Sequence, residues 1–141
     1  MKKTILIILA ALFLFSCKKH EANCATTTET VSGSYKVTTA TYRTSASAAE
    51  MDYIPVLFPN TCERDDVITF NANGTYRFAD VGVVCSPAGD NNGTWSLTGI
   101  NSMTIDGDAV ILESFDCKKL VFVNTDTQVS GDLLKLTLTR Q

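Results

Sequence analysis

The last strand-like segment constrains the fold most. In Leu133 to Thr139, Leu134, Leu136 and Leu138 alternate with Lys135, Thr137 and Thr139. A period of two puts one apolar face on a pleated strand and leaves the other polar. Seven shorter segments upstream have the same character: Tyr35–Tyr42, Val67–Phe70, Thr75–Phe78, Thr94–Leu97, Ser102–Ile105, Ala109–Phe115 and Leu120–Val123. Gly, Asn and Asp mark the joints between them. Asn71-Ala72-Asn73-Gly74 reads as a tight hairpin turn, with Gly74 supplying a positive φ. Asn91-Asn92-Gly93 reads as the opening of the fourth strand, and Asp106-Gly107-Asp108 as the turn into the sixth. No long helical pattern competes in this region. The expected fold is all-β, a single eight-stranded antiparallel meander. Closure of eight strands into a small barrel removes the exposed sheet edges. Such a barrel is wide enough for side chains to fill it, or for one small ligand.

One connection is too long for a hairpin. Residues 45–60 join the first strand to the second. Ser45 to Met51 is compatible with a short helix, and Tyr53 to Pro59 is apolar, with Pro55 and Pro59 favouring an extended path. The segment reads either as a flap closing the core or as a lid at a ligand mouth, because loops this apolar rarely lie fully exposed.

The chain starts with Met1-Lys2-Lys3 and an unbroken apolar run, Ile5 to Phe15, ending at Ser16-Cys17. Eleven residues span only ~16 Å as a helix, short of a ~30 Å bilayer core. That length fits the h-region of a secretion signal. Leu14-Phe15-Ser16-Cys17 resembles the lipobox of a bacterial lipoprotein signal. The resemblance implies cleavage before Cys17 and a diacylglyceryl thioether on its sulfur, and so a membrane partner reached through Cys17. Two acyl chains hold firmly where one holds marginally. The expected organisation is a signal peptide at 1–16, a lipidated tether at 17–32 and a barrel domain at 33–141. Lys18 is not an inner-membrane retention aspartate, so the expected location is the cell envelope, at the outer membrane. Which side of it the domain faces stays open.

Loss of the signal removes Lys2 and Lys3 and leaves 125 of the 141 residues, one domain's worth, with 10 basic and 15 acidic residues, a net −5. A net-negative domain without a basic stripe argues against nucleic acid. Cys24, Cys62, Cys85 and Cys117 remain beside Cys17. In an exported protein they read first as disulfides, with three connectivities open. Their wide spacing and the lone His20 speak against zinc and against any metal centre. The hairpin register narrows the choice. A three-residue loop at 72–74 makes paired numbers sum to 146, so Phe70 meets Tyr76 and Ile68 meets Phe78. Cys62 then falls opposite Val84, one residue from Cys85, and a bulge at Gly82 would restore the alignment. The expected pairs are Cys62–Cys85 and, by elimination, Cys24–Cys117.

Two stretches also resemble a known family. They are Asn60-Thr61-Cys62-Glu63-Arg64-Asp65-Asp66 running into Val67–Tyr76, and Cys85 followed by Asn92-Gly93-Thr94-Trp95-Ser96-Leu97. Together they are similar to the lipocalin-like lipoproteins of Bacteroidota. Gly33-Ser34-Tyr35 stands where lipocalins open with Gly-x-Trp, and Arg140 where an arginine follows the last strand. The resemblance implies a lipocalin-like barrel over residues 33–139 with no assigned catalysis.

No catalytic constellation accompanies the serines and threonines. The carboxylates at Glu63, Asp65, Asp66, Asp106 and Asp108 sit at strand ends, where they read as turn chemistry rather than as calcium ligands. No enzyme activity and no cofactor are expected. Tyr35, Phe70, Tyr76, Phe78, Trp95 and Phe122 read as core, or as the wall of a ligand cavity if the barrel has one. The expected function is membrane-anchored binding of a small, mostly apolar ligand. The alternative is a protein-binding module, such as an envelope enzyme inhibitor or accessory subunit, that uses its loops.

Overall fold

The computed structural model describes residues 24–141. The expected signal peptide, the lipidation site Cys17 and the start of the tether lie outside the described residues. Nine strands occur in chain order: β1 (Gly33–Arg43), β2 (Met51–Asp52), β3 (Val67–Phe70), β4 (Thr75–Ala79), β5 (Asn91–Gly99), β6 (Ser102–Ile105), β7 (Asp108–Phe115), β8 (Lys119–Thr125) and β9 (Leu133–Arg140). Two helical turns, α1 (Thr28–Val31) and α2 (Ile54–Leu57), and a 3-10 turn at Thr61–Arg64 complete it. From β3 to β9 each strand pairs antiparallel with the next. β1 pairs with β3 on one side and β9 on the other, and this closes eight strands into a barrel. The two-residue β2 is an addition on the outer part of β1.

The β3–β4 hairpin has the expected register, with Phe70 opposite Tyr76 and Ile68 opposite Phe78. Gly74 has φ +82°, and the Asn71 N–H donates to the Thr75 carbonyl at 2.8 Å. Asn91-Asn92-Gly93, read as the opening of the fourth strand, is already in the ladder of β5: Arg77 pairs with Asn92 and Tyr76 with Gly93. The outer edge of β4 would otherwise leave its backbone groups unpaired. Gly93 also fits a tight place, since a Cβ there would run into the Tyr76 ring and the Asp106 carboxylate.

The closed half of the barrel is built on aromatic packing. Phe70 is central, with ring centroids 6.0 Å from Tyr35, 6.2 Å from Tyr76 and 5.3 Å from Trp95. The Trp95 indole N–H donates to the carbonyls of Asn71 and Thr75, at 2.9 and 3.1 Å, so the ring is fixed beneath the β3–β4 turn. Met103, Leu112, Leu120, Phe122 and Leu138 fill the rest.

The end of the expected tether belongs to the folded unit. Thr27 and Thr30 form a capping box on α1, and Val31 is fully buried. The Tyr35 hydroxyl donates to the Val31 carbonyl at 2.7 Å. Arg140 crosses the Tyr35 ring 5.0 Å from its centre and donates to that hydroxyl and to the carbonyls of Ser32 and Thr30. A turn too short to hold by itself is thus held by side chains from both ends of the chain, and it plugs one end of the barrel.

The long connection also differs from its sequence reading. Residues 45–48 form turns rather than a helix, and the helical turn is Ile54–Leu57. Pro55 lies in the first turn of that helix, where its missing N–H costs nothing.

The disulfides are Cys62–Cys85 and Cys24–Cys117, with Cα separations of 5.4 and 5.6 Å. The bulge expected at Gly82 is not what aligns Cys62 with Cys85. The β3–β4 ladder ends at Val67 and Ala79. Beyond it, carboxylates replace ladder partners: Asp66 accepts from the Val81 N–H, Asp65 from Val83, and Asp80 from Cys85 and Gly89.

Tyr76 donates to Asp106 at 2.6 Å, and Asp106 also accepts from the Thr94 N–H at 2.8 Å. The bond to the carboxylate, with burial, pushes the Tyr76 hydroxyl up to about 12. A raised folded-state value favours the protonated form, so its stabilisation is complete below the ordinary tyrosine value and lost as pH rises towards 12. Ultraviolet titration of the folded domain should therefore show a tyrosine that ionises about two units late. Uniform ionisation near pH 10 would show that the Tyr76–Asp106 bond is absent.

Candidate functional site

The barrel wall is incomplete at one place. β3 is only four residues long and pairs with Gly33, Ser34 and Tyr35 of β1. β2 occupies the same edge of β1 at Thr41 and Tyr42. Between them, the stretch from Lys36 to Ala40 has no strand partner on that side. A bulge between Val37 and Thr39 bends β1 there. The connection from Tyr53 to Asp66 lies against this seam, and the Tyr53 N–H donates to the Ala40 carbonyl at 2.8 Å.

A cleft of about 300 Å³ opens at the seam. Val37 and Phe78 wall it from the barrel, and Ile54 and Phe58 from the connection. Lys36, Thr38, Glu63, Arg64 and Asp66 supply the polar lining. The volume sits at the lower bound of ordinary small-molecule sites, and the mix of apolar walls with a few polar groups is theirs too. A second groove, about 440 Å³ along Asp108–Ile111 and Val123–Thr127, is shallower and mostly polar.

The polar groups of the cleft differ in how they are held. Glu63 is committed to the Asn60 cap. Arg64 donates from Nε to the Phe58 carbonyl at 3.1 Å, which shapes the loop wall. Neither Lys36 nor Arg64 has an ion-pair partner among the described residues. Asp66 is only 7% exposed, and burial pushes its carboxyl up, against the Val81 N–H bond that lowers it. The neighbouring carboxylates of Asp80, Asp65 and Glu63 add to the upward push.

A separate network anchors the start of the connection. Tyr53 stacks on Tyr42 with centroids 4.8 Å apart, and the Tyr42 hydroxyl donates to Asp132 at 2.9 Å. Asp132 is fully buried and accepts from the N–H groups of Thr127, Gln128 and Val129. Burial raises its carboxyl, but these backbone donors and Tyr42 outweigh it and hold the group well below the usual carboxylate range. Asp132 thereby fixes the β8–β9 turn and, through Tyr42 and Tyr53, the start of the connection that walls the cleft.

Of the six aromatics read as core or cavity wall, five lie together in the closed half. Tyr35, Phe70, Tyr76, Trp95 and Phe122 are buried against one another and their aliphatic neighbours. Phe78 alone of the six lines the cleft. Val37, Ile54, Phe58 and Asp66 were not legible as site residues. The apolar composition of residues 53–58 was the available signal, and it pointed to the loop without showing which part of the wall it covers.

A plugged antiparallel eight-stranded barrel with a cleft under a long connection defines a small-molecule-scale β-barrel. The family model of the lipocalin-like domain matches residues 31–120, from the buried end of α1 into β8. The match spans more than half the chain, and the protein belongs to the lipocalin-like domain family. No curated protein and no solved structure matches it.

Proposed function

We propose that the domain binds a small, mostly apolar molecule in the cleft between β1, Phe78 and the 53–66 connection. The observation that carries this reading is the 300 Å³ space itself, with Val37, Phe78, Ile54 and Phe58 around it. The activity is binding rather than turnover. Native mass spectrometry of the soluble domain purified without detergent from its own host tests it. A discrete added mass is expected on the native domain and should be lost in Ile54→Trp, which adds bulk from the loop and leaves the barrel core untouched. An adduct unaffected by Ile54→Trp, or no adduct at all, would place the function elsewhere.

A protein-binding role is the second reading. Val83 and Val84 are 68% and 60% exposed beside Cys85, an apolar pair on a loop tied to the 3-10 turn. A partner retained by mild crosslinking, and lost in a Val83→Ser, Val84→Ser variant, would favour it.

The anchoring reading rests on the lipobox Leu14-Phe15-Ser16-Cys17. The domain is held at the envelope, at the outer membrane, by lipid on Cys17. Intact mass of the membrane-extracted protein should correspond to a chain starting at Cys17 with two or more acyl chains. Cys17→Ala should accumulate as an uncleaved or soluble precursor. A mature start elsewhere, or a mass without lipid, overturns this.

A further inference from the structure

We infer that the cleft selects amphipathic ligands whose polar end is a cation, with the Asp66 carboxylate as the group that receives it. The inference rests on the cleft being the ligand site. Asp66 is 93% buried, by its 7% exposure, and it lines the cleft. Among the described residues it accepts one hydrogen bond, a long one of 3.3 Å from the Val81 N–H to Oδ1. Its Oδ2 accepts none from the protein and is not sealed from solvent, as the oxygen of a residue lining the cleft can be. An ionised carboxylate has about four acceptor sites, so most of this group's capacity is unmet. A cation with a donor hydrogen would replace that solvent at Oδ2 with a charge-assisted hydrogen bond in a largely buried setting.

No cation of the chain fills that role. Lys36 and Arg64 line the cleft, but neither lies within 4.0 Å of the Asp66 oxygens. Arg64 is exposed and its Nε is already committed to the Phe58 carbonyl. Lys36 is partly exposed on a flexible stem that can hold its ammonium in water. The charges acting on Asp66 from the neighbouring elements are all negative: Glu63 on the 3-10 turn, Asp65 beside it and Asp80 after β4. Of these Glu63 shares the cleft lining with Asp66, and an anionic head group placed at Asp66 would meet both carboxylates. An ammonium there would gain a charge-assisted hydrogen bond, while Val37, Phe78, Ile54 and Phe58 take up the apolar body.

The probes are three eight-carbon compounds, octylamine, octanol and octanoate, with binding to the full disulfide-bonded domain followed by calorimetry at neutral pH. The expected order is octylamine first, by about tenfold or more over octanoate. In Asp66→Asn, which keeps the shape and an acceptor for Val81, the preference for the amine should collapse to within about threefold. Lys118→Gln, at an exposed lysine outside the cleft, should leave the preference in place. Octanoate binding as tightly as octylamine, or a preference unchanged in Asp66→Asn, overturns the assignment of Asp66 while leaving a ligand-binding cleft. If none of the three binds to the native domain, the ligand reading fails with it. The comparison among the three probes needs only the native domain, so a poorly folded Asp66→Asn would not spare the inference.

Discussion

Trp95→Ala is expected to lower the stability of the domain by about 3–5 kcal/mol. That is a large share of the roughly 5–15 kcal/mol that holds a domain of this size together. Trp95 is 2% exposed and packs edge-on against Phe70, which in turn meets Tyr35 and Tyr76. Removing the indole opens a cavity at the centre of that group, and strands on several sides would have to move to fill it. It also takes away the N–H that donates to the Asn71 and Thr75 carbonyls, which have a turn to keep in place. Trp95→Phe keeps an aromatic ring while losing the donor and part of the indole's volume, so it sets an upper bound on the share due to the hydrogen bonds. Its cost should be nearer 1–2 kcal/mol. The chain has one tryptophan, so unfolding is best followed by far-ultraviolet circular dichroism in urea. A loss below about 1 kcal/mol for Trp95→Ala would show that the ring is not part of a packed interior.

Removal of the Cys24–Cys117 bond should be the second large effect. It closes 93 residues, and the chain-entropy model assigns such a loop about 4–5 kcal/mol. The Cys62–Cys85 bond closes 23, for about 3 kcal/mol. Paired serine variants, Cys24→Ser with Cys117→Ser and Cys62→Ser with Cys85→Ser, measure the two separately. Their local consequences should also differ. Without Cys24–Cys117, the chain ahead of α1 is freed from the β7–β8 turn, and amide exchange should rise first at Val31 and Ser32. Without Cys62–Cys85, the 3-10 turn loses its tie to the loop after β4, so exchange should rise around Glu63 to Asp66 and the cleft should lose ligand. If the shorter loop proves the more costly, native-state contacts rather than chain entropy set the order.

The candidate site was much less legible than the core. Phe78 could be named from its strand because an alternating pattern says which residues point inward. The same pattern says nothing about which inward residues lie under a gap in the wall. That depends on the mismatch between an eleven-residue β1 and a four-residue β3, and on where the connection comes to rest. Asp66 looked like one of several carboxylates at a strand end. Its neighbour Asp65 does serve that way, accepting from the Val83 N–H. What sets Asp66 apart is burial beside an apolar cleft, which only the folded chain creates. Asp132 was hidden for a similar reason, because its partners are three N–H groups of its own turn and a tyrosine ninety positions away.

The sequence by itself determined the strands, their order and one hairpin register. These follow from local rules: alternation sets the faces, Gly74 permits the turn, and a meander joins neighbours. The register of 70 with 76 then came from a three-residue loop alone. The disulfide partners were also within reach, because that register brings Cys62 near Cys85 and leaves one remaining pair. Tertiary structure alone decided where regular pairing stops. β3 and β4 end at Val67 and Ala79, and the backbone beyond them is satisfied by Asp65, Asp66 and Asp80 rather than by a ladder. It also decided that residues 27–32 belong to the domain, since a four-residue helical turn has no stability of its own and exists here because Tyr35 and Arg140 bind its carbonyls. Contacts between residues more than a hundred positions apart carry no periodic signal, and it is those contacts that hold α1 against the barrel, while the seam's cleft follows from the unequal lengths of β1 and β3.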